Sequence, residues 1–291
     1  MKLVSYEAVD AFLAATESEL LREEVKHGLL LGLALRLKHH PERFEHRPYL
    51  ATVHLEEALV AAALMTPPRG LVVAAREGGD VSAAMELLAR ELLVNRGPAP
   101  TVNGVASVAR AFAAAWRRLG GDAEVIMRLR VYELRVVIPP APTPGRLRQA
   151  SFGDLDCVYQ WYLEFHDEAT PADPPPRKEQ IATSIEDGSV YLWEMDGKPV
   201  SLAAKGRNLP HGTSIGPVYT PPHLRGRGYA SACVAALSQR ILDEGKAFCT
   251  LFTDLANPTS NHIYQQIGYR PVCDFAQYAL KAPRTAAWRE D

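Results

Sequence analysis

The chain is short of cysteine, of long apolar runs and of any excess of one charge, and each shortage closes a class of function. Four cysteines stand at 157, 233, 249 and 273. None is paired at C-x-x-C spacing, so no zinc cluster and no metal is expected. Their contexts read as thiols kept reduced inside a fold. The best apolar run, Leu29–Leu37, is broken by Arg36. It is far shorter than the roughly 20 residues that span a bilayer. The opening residues Met1–Glu7 lack the apolar core of a signal peptide, so a cytoplasmic chain is expected. Net charge is −2, from 32 basic and 34 acidic residues, which gives no general reason to expect nucleic acid or an anionic membrane as partner. A hydrophobic content of 47% fits an ordinary globular protein, and 291 residues exceed one typical domain, so two are expected.

Two common nucleotide motifs are also missing. No Gly-Lys-Ser/Thr ends a P-loop, and Gly226-x-Gly228 lacks the third glycine and the strand-end acid of a dinucleotide fingerprint. What is present at 217–230 is a strand end, a turn, and a loop with two glycines and two arginines that opens a helix at Tyr229. Glycines let the backbone N–H groups of 226–230 converge on one small volume. The first turn of the helix adds N–H groups without internal partners and the positive end of its dipole. A diphosphate suits both, and Arg225 and Arg227 carry forked donors for its oxygens.

A second stretch follows at the right distance. Thr250–Leu255 reads as a strand. Asn257-Pro258 then reads as an N-cap with proline at the first helical position, and Gly268 as the C′ stop.

Together these stretches resemble the signature of the GNAT acetyltransferase superfamily. Arg225-Gly226-Arg227-Gly228-Tyr229-Ala230 is similar to its acyl-CoA loop, Arg/Gln-x-x-Gly-x-Gly/Ala. Asn257, Tyr264, Gly268 and Tyr269 match its second half, with Ser260 in place of the usual alanine. The resemblance covers residues 146–280. It implies an α/β (α+β) fold with a mixed, largely antiparallel sheet flanked by helices. It also implies acetyl transfer from acetyl-CoA, as cosubstrate, to a primary amine by direct attack in a ternary complex. Tyr264 is implied as the group that meets the leaving thiolate. The implied cofactor contacts are Val218, Tyr219, Thr220, Arg225, Gly226, Arg227, Gly228, Tyr229, Ala230, Ser231, Asn257 and Asn261. Many members carry a glutamate on the strand before the loop, but Gly212–Thr220 holds no acid. Glu164, His166, Glu194 and His211 are the substitutes to consider. The missing acid keeps open an acyl-CoA-binding regulatory or scaffold protein without turnover. The acceptor's identity and the oligomeric state, a homodimer included, also stay open.

Pro139–Gly145 holds four prolines and sets the expected boundary: 1–138, a linker at 139–145, and 146–291. The C-terminal half reads as strand 146–150, helices 153–168 and 177–186, strands 189–195, 199–206 and 213–220, helix 229–244, strand 247–255, helix 258–267 and a strand pair within 269–281. The N-terminal half reads as strand 2–5, helices 7–16 and 18–38, strands 49–54, 57–65 and 70–75, helices 81–94 and 104–119, and strands 123–129 and 131–138. The order repeats. Arg225 to Tyr264 spans 39 residues, and Arg76 to Trp116 spans 40. The loop Arg76-Glu77-Gly78-Gly79-Asp80-Val81 stands where the cradle belongs, but with two acids and a β-branched last residue. The expectation is a degenerate GNAT-like domain without CoA; an unrelated α/β domain, or an acceptor-recognition module, is the alternative.

Overall fold

The computed structural model describes residues 1–96 and 99–283, with 95 and 96 as backbone alone. The chain divides into two compact units. One comprises Met1–Arg130 with the chain's last strand, and the other Val131–Val272.

In the first unit β1 (Lys2–Tyr6) precedes α1 (Val9–Leu20) and α2 (Glu24–His39). Then come β2 (Tyr49–Leu55), β3 (Ala58–Met65), β4 (Leu71–Ala75), α3 (Val81–Glu91), β5 (Thr101–Val105) and α4 (Ala106–Arg118). Strand β6 (Asp122–Leu134) runs on across the division. β1 to β4 form an antiparallel meander, and β4 pairs with β5 in parallel. Residues alternate across the sheet, as the period of two requires. Tyr49, Ala51, Val53, Ala61, Ala63 and Val73 pack in one core with Met85, Leu88, Phe112 and Trp116 of α3 and α4. The alternate residues Leu50, Ala62, Leu64 and Val72 are buried too, and α1 and α2 cover them.

The second unit repeats this order. β7 (Arg146–Gln149) leads to α5 (Leu155–Ala169) and α6 (Lys178–Glu186). β8 (Val190–Met195), β9 (Lys198–Asn208) and β10 (Gly212–Tyr219) form the meander, followed by α7 (Tyr229–Asp243), β11 (Phe248–Asp254) and α8 (Pro258–Gln266). The β8–β9 hairpin turns on Asp196 and Gly197, both at positive φ, as a two-residue turn requires. Tyr191, Trp193, Ala203 and Ile215 pack toward α7 and α8, while Val190, Leu192, Leu202 and Tyr219 pack toward α5 and α6.

Three sequence expectations need correction. The strand pair within 269–281 is one strand, β12 (Arg270–Lys281). The expected strands 123–129 and 131–138 are likewise one strand, β6. Strand β5 was not anticipated at all. It is short, and Gly104 lies in it because a Cβ there would stand 2.6 Å from the Val73 carbonyl oxygen.

The expected 138/146 boundary also differs from the observed units. β12 pairs antiparallel with β5, Phe275↔Val105 through Ala279↔Thr101, and so completes the first unit's sheet. Tyr132 and Leu134 instead enter the second unit's core, and the Ile138 N–H donates to the Ile267 carbonyl at 3.0 Å. Residues 284–291 of the expected C-terminal domain lie outside the described residues. All four cysteines are free. Cys233 and Cys249 are buried, and burial pushes both thiols up to about 12. Cys157 and Cys273 are half-buried. Among the described residues no helix is long and apolar enough to cross a membrane. Nor is any group of three or more His, Cys, Asp or Glu side chains placed to hold a metal ion.

One buried histidine ties the first unit to pH. His27 on α2 is 5% exposed, and its Nδ1 has no hydrogen-bond partner among the described residues. Burial lowers its pKa to about 4, against a partial opposing pull from Glu23. The native state therefore holds the ring neutral while the unfolded chain protonates it near 6.5. This contribution is fully present above pH 6.5 and is lost as pH falls toward 4. Urea unfolding should lose up to about 3 kcal/mol from this group between pH 7 and 4. His27→Leu should remove that part of the slope; parallel curves for the two proteins would show that His27 does not carry it.

Candidate functional site

The site begins where two strands part. β10 and β11 pair in parallel over three positions, Gly212↔Phe248, Thr213↔Cys249 and Ser214↔Thr250. Beyond them β10 breaks register against β9 around Gly216 and Pro217, then regains it at Val218↔Ala203 and Tyr219↔Leu202. Val218 and Tyr219 close β10, with Val218 turned to the α7 face and Tyr219 to the α5 face. Thr220 follows, its Oγ1 sharing a 2.8 Å hydrogen bond with Ser201 Oγ.

The chain then crosses a 3₁₀ turn, Pro222–Leu224, and enters the glycine loop. Gly226 and Gly228 have φ of 76° and 79°. A side chain at either φ would be strained, and a Cβ on Gly228 would also stand 2.9 Å from Thr143 Oγ1. Gly228 is the N-cap of α7 and has no side chain to offer its amides. The N–H groups of the first turn, including Tyr229, Ala230 and Ser231, are therefore open to an anion. The Tyr229 ring points inward, its hydroxyl donating to Met195 Sδ at 3.1 Å. It offers the site its backbone alone.

The two arginines differ. Arg227 lies exposed at the loop rim, donating at 3.3 Å to the His223 carbonyl. Arg225 is committed within the fold: Nε donates to the Thr220 carbonyl at 2.8 Å and Nη2 to both oxygens of Glu168 at 2.8 Å. That tie lies 57 residues back, on α5. The first unit repeats it: Arg76 pairs at 3.4 Å with Glu19 on α1, at the same sequence spacing. Arg225 thus fastens the loop to the helix whatever else it contacts.

The rest of the first unit's loop is closed. Asp80 caps α3, its carboxylate accepting from the Ala83 amide at 3.1 Å. Glu77 is paired with Lys26 at 2.7 Å. Trp116, at the counterpart of Tyr264, is fully buried and donates Nε1–H to the Lys281 carbonyl at 2.9 Å. A side chain of the unit itself takes the Ala83 amide, in a first turn that Gly228 leaves without any side-chain cap.

On α8, Asn257 caps the helix by accepting from the Ser260 amide at 3.0 Å. Asn261 donates to the Asp254 and Asn257 carbonyls at 2.8 and 2.7 Å and accepts from Tyr132 Oη at 2.9 Å. Both its amide hydrogens are engaged, so it braces the end of β11 against α8. Tyr264 is 8% exposed, edge-on to Tyr269 at 5.9 Å, and burial raises its hydroxyl to about 12.

Comparison with known proteins agrees with the fold. A family model described as FR47-like protein matches residues 195–278. A GCN5-related N-acetyltransferase from Sphaerobacter thermophilus is 16% identical, with a TM-score of 0.65 over 98% of this chain and 96% of that one. A GNAT-family acetyltransferase from Colwellia psychrerythraea is 12% identical, with a TM-score of 0.58 over 97% and 100%. A tandem GNAT protein from the clavulanic acid biosynthesis pathway is 14% identical, with a TM-score of 0.56 over the full length of both chains. The fold is the tandem GNAT fold. No curated protein matches the chain.

Of the four substitutes for the missing strand acid, three are placed elsewhere or otherwise occupied. Glu194 is held by Arg146 and Arg148, which keep its carboxyl below the usual range. His211 is exposed and precedes β10 at the end away from the cradle. His166 Nε2 is bonded to the Asp173 carbonyl at 2.8 Å and Nδ1 faces Asp167 at 3.1 Å. Glu164 alone reaches the strand end of this GNAT fold, accepting from Tyr219 Oη at 2.8 Å. It lines an open groove of about 470 Å³ beside that end, together with Trp161, Tyr219 and Pro221. Nothing in the sequence marks this contact, because its partners lie 55 residues apart on elements that meet only in the fold.

Proposed function

We propose that the second unit is an N-acetyltransferase that moves an acetyl group from acetyl-CoA to a primary amine by direct attack in a ternary complex. The observation that carries this reading is the uncapped N-terminus of α7 beside the parting of β10 and β11. The amides of 226–231 would hold the diphosphate. Val218 and Thr220 would offer backbone groups to the pantetheine arm and the acetyl carbonyl, and Asn257 its remaining lone pair. The relatives' names support acetyl transfer as a class.

The amine must reach the thioester neutral. For a lysine-like amine only roughly one molecule in 10³ is neutral at pH 7, a cost of about 4–5 kcal/mol that desolvation or a base must offset. In this reading Tyr264 would meet the leaving sulfur. With its hydroxyl near 12 and a thiol near 8.5, full proton transfer is uphill by about 5 kcal/mol. Tyr264 therefore stabilises the thiolate by donating a hydrogen bond, without surrendering its proton.

The absence of an acid on β10 favours a second reading, an acyl-CoA-binding regulator without turnover. Thiol release in the presence of an amine library separates the two.

Two outcomes are expected of the first reading. Gly228→Asn gives α7 a side-chain cap like Asp80 of the other unit, and asparagine tolerates the left-handed backbone better than most residues. Calorimetry should show acetyl-CoA affinity falling at least about tenfold with the fold retained; undiminished affinity would exclude the cradle as the anion site. Tyr264→Phe should lower kcat by about tenfold while acetyl-CoA KM moves little, and unchanged turnover would remove its catalytic role.

A further inference from the structure

The groove beside β10 has the chemistry of a cation site, and Glu164 is the reason. The groove's three carboxylates are Glu164, Asp167 and Glu168. Glu168 is neutralised by Arg225 through both oxygens. Asp167 projects into solvent, 80% exposed, against His166. Glu164 is different. Its Oε2 accepts from Tyr219 Oη at 2.8 Å and its Oε1 from Gln160 Nε2 at 3.0 Å. Both donors are neutral, so the carboxylate is oriented while its charge is left uncancelled among the described residues.

The walls suit the same ligand. Trp161 and Tyr219 present tilted rings 6.4 Å apart, and aromatic faces attract cations, as the Tyr219 ring already does Arg225, whose guanidinium carbon lies 5.6 Å from its centroid. Pro199, Pro221 and Pro222 bring no backbone N–H, and of the two residues that complete the lining, His223 and Leu224, the Leu224 N–H is already donated to the Pro221 carbonyl at 2.9 Å. Arg225, the groove's neighbouring cation, is occupied by Glu168. A cavity of about 470 Å³ admits a small molecule or a single side chain.

We infer that Glu164 anchors one ammonium end of the acceptor, and that the acceptor is a small cationic diamine without a carboxylate, whose other amine, neutral, is the nucleophile. The inference rests on the transfer reading above and narrows its acceptor class. Tyr219 acts as a positioning residue, fixing the Glu164 carboxylate from the end of the strand that leads into the cradle. Amino acids fit poorly, because their own carboxylate would enter a groove already carrying negative charge.

The test uses the full chain loaded with acetyl-CoA. Calorimetry at pH 7.5 would compare 1,5-diaminopentane, 1-aminopentane and 5-aminopentanoate, with thiol release measured for the same three compounds. The two amines should bind at least about tenfold more tightly than the zwitterion. Glu164→Gln should abolish that preference while leaving acetyl-CoA affinity within about twofold, which also reports an intact fold. Tyr219→Phe should weaken amine binding less than Glu164→Gln does. Equal binding of all three compounds, or amine binding indifferent to Glu164→Gln, overturns the inference. Amine binding with the predicted preference but no thiol release upholds the groove and sinks the transferase reading. Thiol release without charge preference and without sensitivity at Glu164 does the reverse. Neither binding nor release with any of the three contradicts both.

Discussion

Everything proposed for this chain depends on the first turn of one helix. An α-helix begins with four amides that have no internal partner, and something must satisfy them. In the first unit the protein does so itself, with the Asp80 carboxylate on the Ala83 amide. In the second unit the same position is Gly228, which has a left-handed backbone and no side chain. The amides there are left for a ligand, and the dipole of α7 gives that ligand its sign. The opening is steric as well as electrostatic, since a Cβ at 228 would stand 2.9 Å from Thr143 Oγ1 and that hydroxyl would have to turn aside.

The two units share their framework but not their chemistry. Each has an antiparallel meander whose last strand leads into a loop and a helix and also pairs in parallel, over three positions, with the strand that follows that helix. Each fastens that loop to an earlier helix by a glutamate–arginine tie, Glu19–Arg76 in one and Glu168–Arg225 in the other. Ties that recur where no ligand is expected belong to the fold. At the loop and the last helix the differences are Asp80 against Gly228, Glu77 against Gly226, and Trp116, donating to a main-chain carbonyl, against Tyr264.

Much of this was legible in the sequence, because it rests on local rules. Glycines at positive φ, an Asn-Pro helix start and a damaged second loop can be read within a few residues of each other. The Asp196-Gly197 turn is legible for the same reason. The features that escaped are those that depend on distant partners. Strand β5 carries a glycine whose purpose appears only beside Val73. β12 completes the sheet of a unit that begins some 270 residues earlier in the chain, so the proline-rich segment that reads as a domain boundary lies inside the second compact unit, and the units divide within β6. Arg225 looked like a phosphate ligand until Glu168 was placed against it. Asn261 looked available until its bonds to Asp254, Asn257 and Tyr132 were known. The groove and Glu164 had no local signal to read.

The central claim is that one of the two repeated loops holds acyl-CoA and the other is sealed by its own side chains. Isothermal titration of the full chain with acetyl-CoA tests this most directly through its stoichiometry. One molecule bound per chain, with the single site lost in Gly228→Asn and kept in Asp80→Ala, is the predicted result. Two sites per chain, or a single site that survives Gly228→Asn, would contradict it.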